Sequence, residues 1–142
     1  MFIKQLSVFV ENREGCLDEV LEILTQQDIN IISLSLADTS DYGLLRLIVN
    51  KPEQGRDALK ENGFSAMLTD IIAVKLAHRV GKLQELLGAI CKGGINIEYM
   101  YALSTGTTDA SIALKTADPQ KAAQILKELG IEFFTPEELS AM

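Results

Sequence analysis

Val8-Phe9-Val10-Glu11-Asn12-Arg13-Glu14-Gly15 returns 66 residues later as Val74-Lys75-Leu76-Ala77-His78-Arg79-Val80-Gly81. The residues after each copy match too. Leu17, Val20, Leu21 and Leu24 fall on Leu83, Leu86, Leu87 and Ile90, and Ile29-Asn30-Ile31 falls on Ile95-Asn96-Ile97. Past the middle of each copy the offset becomes 67, so that Pro52 meets Pro119 and Gly63 meets Gly130. One extra residue in a loop near residues 105–108 accounts for the step. A constant offset over this length marks a duplicated unit, and its most regular parts are glycine turns followed by helix starts. At such places unpaired backbone N–H groups can meet a small ligand.

Working outward, residues 2–10 alternate and are rich in β-formers, which predicts a strand. After Gly15, the spacing of Leu17, Val20, Leu21 and Leu24 predicts one face of a helix, ended at Asp28-Ile29-Asn30. Strands are expected over 29–36 and 44–49, separated by the turn-rich run 38–43. Pro52 suits the first turn of a second helix, Asn62-Gly63 stops it, and 64–68 is a fourth strand. The second copy repeats the order: strand 71–77, helix 83–91 stopped by Gly93-Gly94, and strands 95–103 and 110–115. Asp118-Pro119 then caps a helix to Leu129, strand 131–134 comes next, and 136–142 is a tail. No Pro/Gly/Ser linker separates the copies. Thr69-Asp70 is the only joint, which divides the chain into repeats at 1–69 and 70–142, closely packed rather than tethered.

Strand-helix-strand-strand-helix-strand is the ferredoxin-like βαββαβ order, with helices on one face of an antiparallel sheet. The expected fold class is therefore α+β. The first and third strands of each repeat lie centrally, and the second and fourth at the edges. Residues 29–36 and 95–103 are then long apolar edges, whose simplest cover is each other. That pairing gives two repeats packed as one eight-stranded antiparallel sheet.

Composition narrows the function. A 142-residue chain with 47% apolar and 23% charged residues is an ordinary soluble globular protein. Each copy alone would bury too little surface to be more than marginal. The net charge of −7, with no basic cluster longer than two residues, argues against a nucleic-acid partner. Neither a signal peptide nor a stretch long enough for a membrane span is found, so no membrane partner is expected. Cys16 and Cys91 occupy non-equivalent positions without metal-ligand spacing, as befits free thiols in a reducing compartment and a cytoplasmic protein. No metal and no cofactor is expected.

From Phe2 to Phe134, both copies resemble the ACT-domain family, the modules that sense free amino acids in enzymes such as aspartate kinases and chorismate mutases. The resemblance is carried by Asn12-Arg13-Glu14-Gly15-Cys16-Leu17 with Ile29-Asn30-Ile31, and by His78-Arg79-Val80-Gly81-Lys82-Leu83 with Ile95-Asn96-Ile97. Two departures stand out. The family's proline before the loop glycine is replaced by Glu14 and Val80, and His78 opens the second loop in place of Asp or Asn. The resemblance implies a stand-alone regulatory sensor, not an enzyme. Its amino-acid ligand would sit at the interface between two modules, the loop of one copy facing the second strand of the other. It implies ligand-binding residues Asn12, Arg13, Glu14, Gly15, Cys16, Leu17, Asn30 and Ile31 in the first copy, and His78, Gly81, Leu83, Asn96 and Ile97 in the second. No catalytic residue is assigned.

The chemistry of such a ligand fits these residue types. Helix-start N–H groups suit the carboxylate, Gly15 and Gly81 admit close approach, and Asn12, Asn30 or Asn96 can accept from the ammonium. Each also has a plainer explanation. The glycines can serve a turn needing positive φ, Asn12 a cap, Asn30 and Asn96 strand-leading turns, Cys16 packing, and Tyr99 and Tyr101 sheet contacts. Two rivals stay open: a protein-interaction adaptor without a ligand, and a small enzyme using His78, the chain's only histidine. A homodimer is expected, with the sheet face of Ser33, Ser35, Tyr99 and Tyr101 as its surface and a regulated protein partner of unknown identity. The copies differ: Glu14 stands opposite Val80 and Cys16 opposite Lys82. Occupancy is therefore expected to be unequal, with the first loop, nearer the family pattern, the tighter.

Overall fold

A computed structural model describes residues 2–11, 13–38, 41–77, 79–103 and 110–142. Asn12, His78 and the loop of the extra residue lie outside the described residues. The chain folds as two compact units, one of Lys4–Thr69 with Glu137–Met142 and one of Met1–Ile3 with Asp70–Pro136.

The first unit is built from β1 (Phe2–Glu11), α1 (Cys16–Gln26), β2 (Ile31–Asp38), β3 (Tyr42–Val49), α2 (Pro52–Glu61) and the start of β4 (Ser65–Leu76). Its strands lie in the order β4-β1-β3-β2. β1 and β3 pair antiparallel from Leu6↔Leu47 to Glu11↔Tyr42, and β2 pairs antiparallel with β3 from Ile31↔Val49 to Asp38↔Gly43. Alternate β1 residues Leu6, Val8 and Val10 pack with Leu45, Leu47 and Val49 of β3 beneath Val20 and Leu24 of α1 and Leu59 of α2. Val20 and Leu24 belong to the apolar stripe foreseen for the first helix. Gly55 in α2 has an internal reason to be glycine, since a Cβ there would lie 3.3 Å from Leu6 Cδ2 and 3.4 Å from Leu24 Cδ2.

The second unit repeats the plan with the rest of β4, α3 (Lys82–Lys92), β5 (Ile97–Ala102), β6 (Ala110–Thr116), α4 (Pro119–Glu128) and β7 (Glu132–Phe133). β4 pairs antiparallel with both β6 and β7, and β5 with β6. Ile72, Val74 and Leu76 pack with Ile112 and Leu114 under Leu86, Ile90, Ala122 and Leu126. Asp118 caps α4 by accepting from the Lys121 amide at 3.1 Å, and prolines open both α2 and α4. The fold is α+β, two ferredoxin-like repeats.

Three details differ from the sequence expectation. The strands foreseen at 64–68 and 71–77 are one element, β4, so eight strand segments are carried by seven strands; nothing at Thr69-Asp70 forces a turn. Among the described residues β2 and β5 each have one strand partner, β3 and β6, so the expected pairing of these two apolar edges is not found there. The tail coils into α5 (Pro136–Ser140), which buries Leu139. Its leading proline and first-turn Glu137 and Glu138 suit a helix start. No helix among the described residues is long and apolar enough to cross a membrane.

Candidate functional site

Each repeat presents a loop–helix junction of the same backbone design. Gly15 and Gly81 precede their helices with φ of 84° and 88°, the left-handed region that glycine alone adopts freely. Before them, the Arg13 amide donates to the Glu11 carbonyl and the Arg79 amide to the Ala77 carbonyl, both at 2.8 Å. Among the described residues neither helix has a side-chain cap; the Cys16 and Lys82 amides donate to the Arg13 and Arg79 carbonyls at 3.4 and 3.3 Å, which leaves the amides that follow them in the first turn to solvent or a ligand. A Cβ at Gly15 or Gly81 would meet nothing within 4 Å, so both glycines are required by backbone conformation and also stand open to approach.

The two junctions differ in charge. In the first, Arg13 Nε donates to Glu11 Oε2 at 3.0 Å, and Nη2 lies 3.5 Å from Glu19 Oε2. The Glu11 hydrogen bond, then Cys16 and Glu19, hold the guanidinium above its ordinary pKa. These contacts are solvent-exposed and add little stability, yet they occupy the loop's cation. Glu14 is exposed beside them. A hollow of about 330 Å³ at this junction is lined by Phe9, Glu11, Arg13, Glu19, Asn62 and Phe64, among others. Cys16 and Leu17 turn inward: Cys16 is buried in the first core and Leu17 packs against it.

The second junction is its electrostatic opposite. Lys82 pairs with Glu85 at 3.3 Å, and Ala77 stands where the first copy has Glu11. Arg79 is exposed and has no ion-pair partner among the described residues. It borders a hollow of about 400 Å³ whose other walls are Leu76, Ala77, Val80, Leu83 and Ala110. No carboxylate lines it among the described residues. Among the described residues this hollow offers a guanidinium with no ion-pair partner, a helix start with no side-chain cap and an aliphatic wall, which together suit a small carboxylate bearing an apolar group.

Asn30, Ile31, Asn96 and Ile97 lie away from the glycine loop of their own repeat. Glu11↔Tyr42 marks the loop end of the first sheet and Ile31↔Val49 the other end, so Asn30 and Ile31 sit across the length of β3 from Gly15, roughly 24 Å at strand rise. Ile97↔Thr116 places Asn96 and Ile97 likewise, far from Gly81 in the same repeat. Ile31 and Ile97 pack against their cores. Asn30 has local partners: its amide donates to Asn50 Oδ1 at 2.9 Å, and its Nδ2 donates to the Met142 carbonyl at 3.1 Å. The Asn96 carbonyl accepts from the Ala117 amide at 3.0 Å. Sequence reasoning missed Leu76, Ala77, Val80 and Ala110 as lining residues of this hollow and left Arg79 out of the candidate residues. The exchange of Glu11 for Ala77 was the signal that could have found Arg79. Among the described residues no group of three or more His, Cys, Asp or Glu is placed to hold a metal ion.

A family model described as an ACT domain pair matches residues 1–142. Protein BT0572 from Bacteroides thetaiotaomicron is similar over 100% of this chain and 98% of its own, with 34% identity and a TM-score of 0.93. The ligand-free regulatory subunit of aspartate kinase from Thermus thermophilus matches 89% of this chain and 90% of its own, at 16% identity and a TM-score of 0.62. The corresponding subunit from Thermus flavus covers 88% and 90%, at 15% identity and a TM-score of 0.59. These last two are likenesses of fold. Among curated proteins none matches the chain.

Proposed function

The chain belongs to the ACT domain pair family, and from that premise we propose that it is a regulatory sensor that binds a small free amino acid with an aliphatic side chain. One observation carries this reading: Arg79, with no ion-pair partner among the described residues, stands beside a start of α3 that no described side chain caps, bordering a hollow walled by Leu76, Ala77, Val80, Leu83 and Ala110. The ligand carboxylate binds Arg79 and the first-turn amides, and its side chain fills the aliphatic wall. No acid among the described residues lines the hollow, so carbonyl acceptors for the ammonium come from a second module laid on its mouth. Closing that mouth changes the surface offered to a regulated protein partner. The setting is cytoplasmic, in keeping with the free thiols of Cys16 and Cys91.

A thermal-shift screen of the twenty amino acids tests this. An aliphatic amino acid at about 100 times its Kd should add roughly 2.7 kcal/mol of stability. Arg79→Gln should weaken it by about 1.5–3 kcal/mol, the worth of a hydrogen bond to a charged group, or roughly 10- to 100-fold in Kd. Undiminished binding by Arg79→Gln, with loss on Arg13→Gln, would move the site to the first loop. A second reading has its own support: φ alone explains Gly15 and Gly81, as an adaptor that binds no amino acid would require. No shift from any of the twenty would establish that reading over the sensor.

A further inference from the structure

We propose that Asn62-Gly63 is a deamidation site held shut by the last turn of α2, so that its modification follows opening of the first repeat. It is the chain's only Asn-Gly pair: Asn12, Asn30, Asn50 and Asn96 precede Arg13, Ile31, Lys51 and Ile97. Glycine is the neighbour that hinders the reaction least, because no Cβ shields its nitrogen. The Gly63 nitrogen gives up its proton and attacks the side-chain carbonyl carbon of Asn62. The new carbon–nitrogen bond closes a cyclic imide, and the side-chain nitrogen takes up a proton and leaves as ammonia. Water then opens either imide carbonyl. The product is aspartate at 62, or isoaspartate, in which the main chain runs through the former side chain.

The geometry supplies the lock. Asn62 caps the C-terminus of α2 with φ of −97° and ψ of 15°. Its Nδ2 donates to the Ala58 carbonyl at 2.8 Å, and the Gly63 amide donates to the Lys60 carbonyl at 3.1 Å. Nucleophile and leaving amide are thus both engaged with the helix, and ring closure needs both released. Asn62 and Gly63 are exposed, and helix ends open at low cost in free energy. The backbone does not require asparagine here. The second repeat makes the same turn with Leu129-Gly130, the Gly130 amide donating to the Lys127 carbonyl at 3.0 Å. The consequence falls on the first repeat. An aspartate at 62 cannot donate to Ala58, and it sets a negative charge at the C-terminal end of α2. That charge also enters the walls of the hollows of about 330 and 280 Å³ that Asn62 lines with Glu19 and Phe64. Isoaspartate lengthens the main chain just before Phe64, whose amide donates to the Leu59 carbonyl at 3.0 Å and whose ring packs against the first core.

Asn62 does not line the hollow at Arg79, so this chemistry and amino-acid binding are read separately. The full chain is incubated at mildly alkaline pH, folded and in urea, and followed by ammonia release and peptide mass mapping. In urea Asn62 should be the first asparagine converted, to a mixture of aspartate and isoaspartate. Folding should slow that conversion by roughly ten- to hundred-fold. Ala58→Gly, which weakens the last turn of α2, should speed it roughly four- to five-fold in the folded chain and leave the rate in urea unchanged. Circular dichroism checks that this variant is folded, and urea below the unfolding transition should speed the wild type in the same way. Asn62→Leu, the second copy's residue, should remove the early ammonia. Equal rates in the folded and unfolded chain would overturn the proposal. So would a folded rate indifferent to both Ala58→Gly and dilute urea, or another asparagine converting ahead of Asn62.

Discussion

Replacing Thr116 by valine should make the protein more stable, and the first repeat explains why. Thr116 is fully buried on β6, and its hydroxyl has no hydrogen-bond partner among the described residues. The matching position of the first copy is Val49, a buried member of that unit's core. Threonine and valine have nearly the same shape, so the exchange opens no cavity and removes only an unpaired polar atom. A buried hydroxyl without a partner costs roughly 1–3 kcal/mol, and the methyl that replaces it adds about 0.8 kcal/mol of burial. Allowing for partial relaxation around Thr116, the gain should be about 1–3 kcal/mol. At about 2.1 cal/mol/K per residue, the unfolding entropy of the chain is about 0.3 kcal/mol/K, so Tm should rise by roughly 3–10 °C. Differential scanning calorimetry with urea unfolding gives both numbers. The reverse exchange, Val49→Thr, should lose a similar amount. An unchanged or lower Tm for Thr116→Val would mean that the hydroxyl is satisfied, and the reasoning would fail.

The loop glycines, the α4 cap and the tail helix each give a further expectation. Gly15→Ala and Gly81→Ala should each lose about 1–2 kcal/mol in urea unfolding, although the added methyl meets nothing, because a left-handed φ penalises any Cβ; no loss would contradict the left-handed caps. Gly15→Asp should lose no more stability than Gly15→Asn, and should leave amino-acid binding intact if the second loop is the site. Asp118→Ala should lose about 1 kcal/mol by uncapping α4. Leu139→Ala should lose about 2–4 kcal/mol; a smaller loss would show that α5 is loosely held.

Much of the architecture was legible because the repeat tests itself. An apolar position on α1 is matched on α3, and prolines at 52 and 119 open equivalent helices. Where the sequence misled, the cause was context. The letters from Phe64 to Ala77 specify extended backbone throughout, and only pairing on both halves shows that β4 is uninterrupted. Leu139 was one apolar residue among acids, and its burial is a tertiary event. The expected pairing of Asn30 and Asn96 is with the glycine loop of the other copy; within its own repeat, an 11-residue helix carries the chain roughly 16 Å along its axis between the glycine and either asparagine.

Comparing the copies also supports the proposed choice of the second loop, which sequence similarity to the family does not make. Arg13 and Arg79 are identical residues in matching turns, and Glu19 matches Glu85. Three exchanges nearby separate them. Glu11 becomes Ala77, which removes the carboxylate that receives Arg13. Cys16 becomes Lys82, which engages Glu85 and so withholds from Arg79 the partner that Glu19 supplies to Arg13. Glu14 becomes Val80, which replaces an exposed negative charge with an aliphatic wall. Each change acts in one direction, toward an open cation over an apolar hollow. A carboxylate approaching the first loop must displace Glu11 and Glu19 from Arg13 and tolerate Glu14. At the second it meets no competitor from the described residues. Duplication kept the turn and the helix start in both copies. These side chains are the reason we propose the second loop as the carboxylate site, even though the first lies closer to the family's pattern.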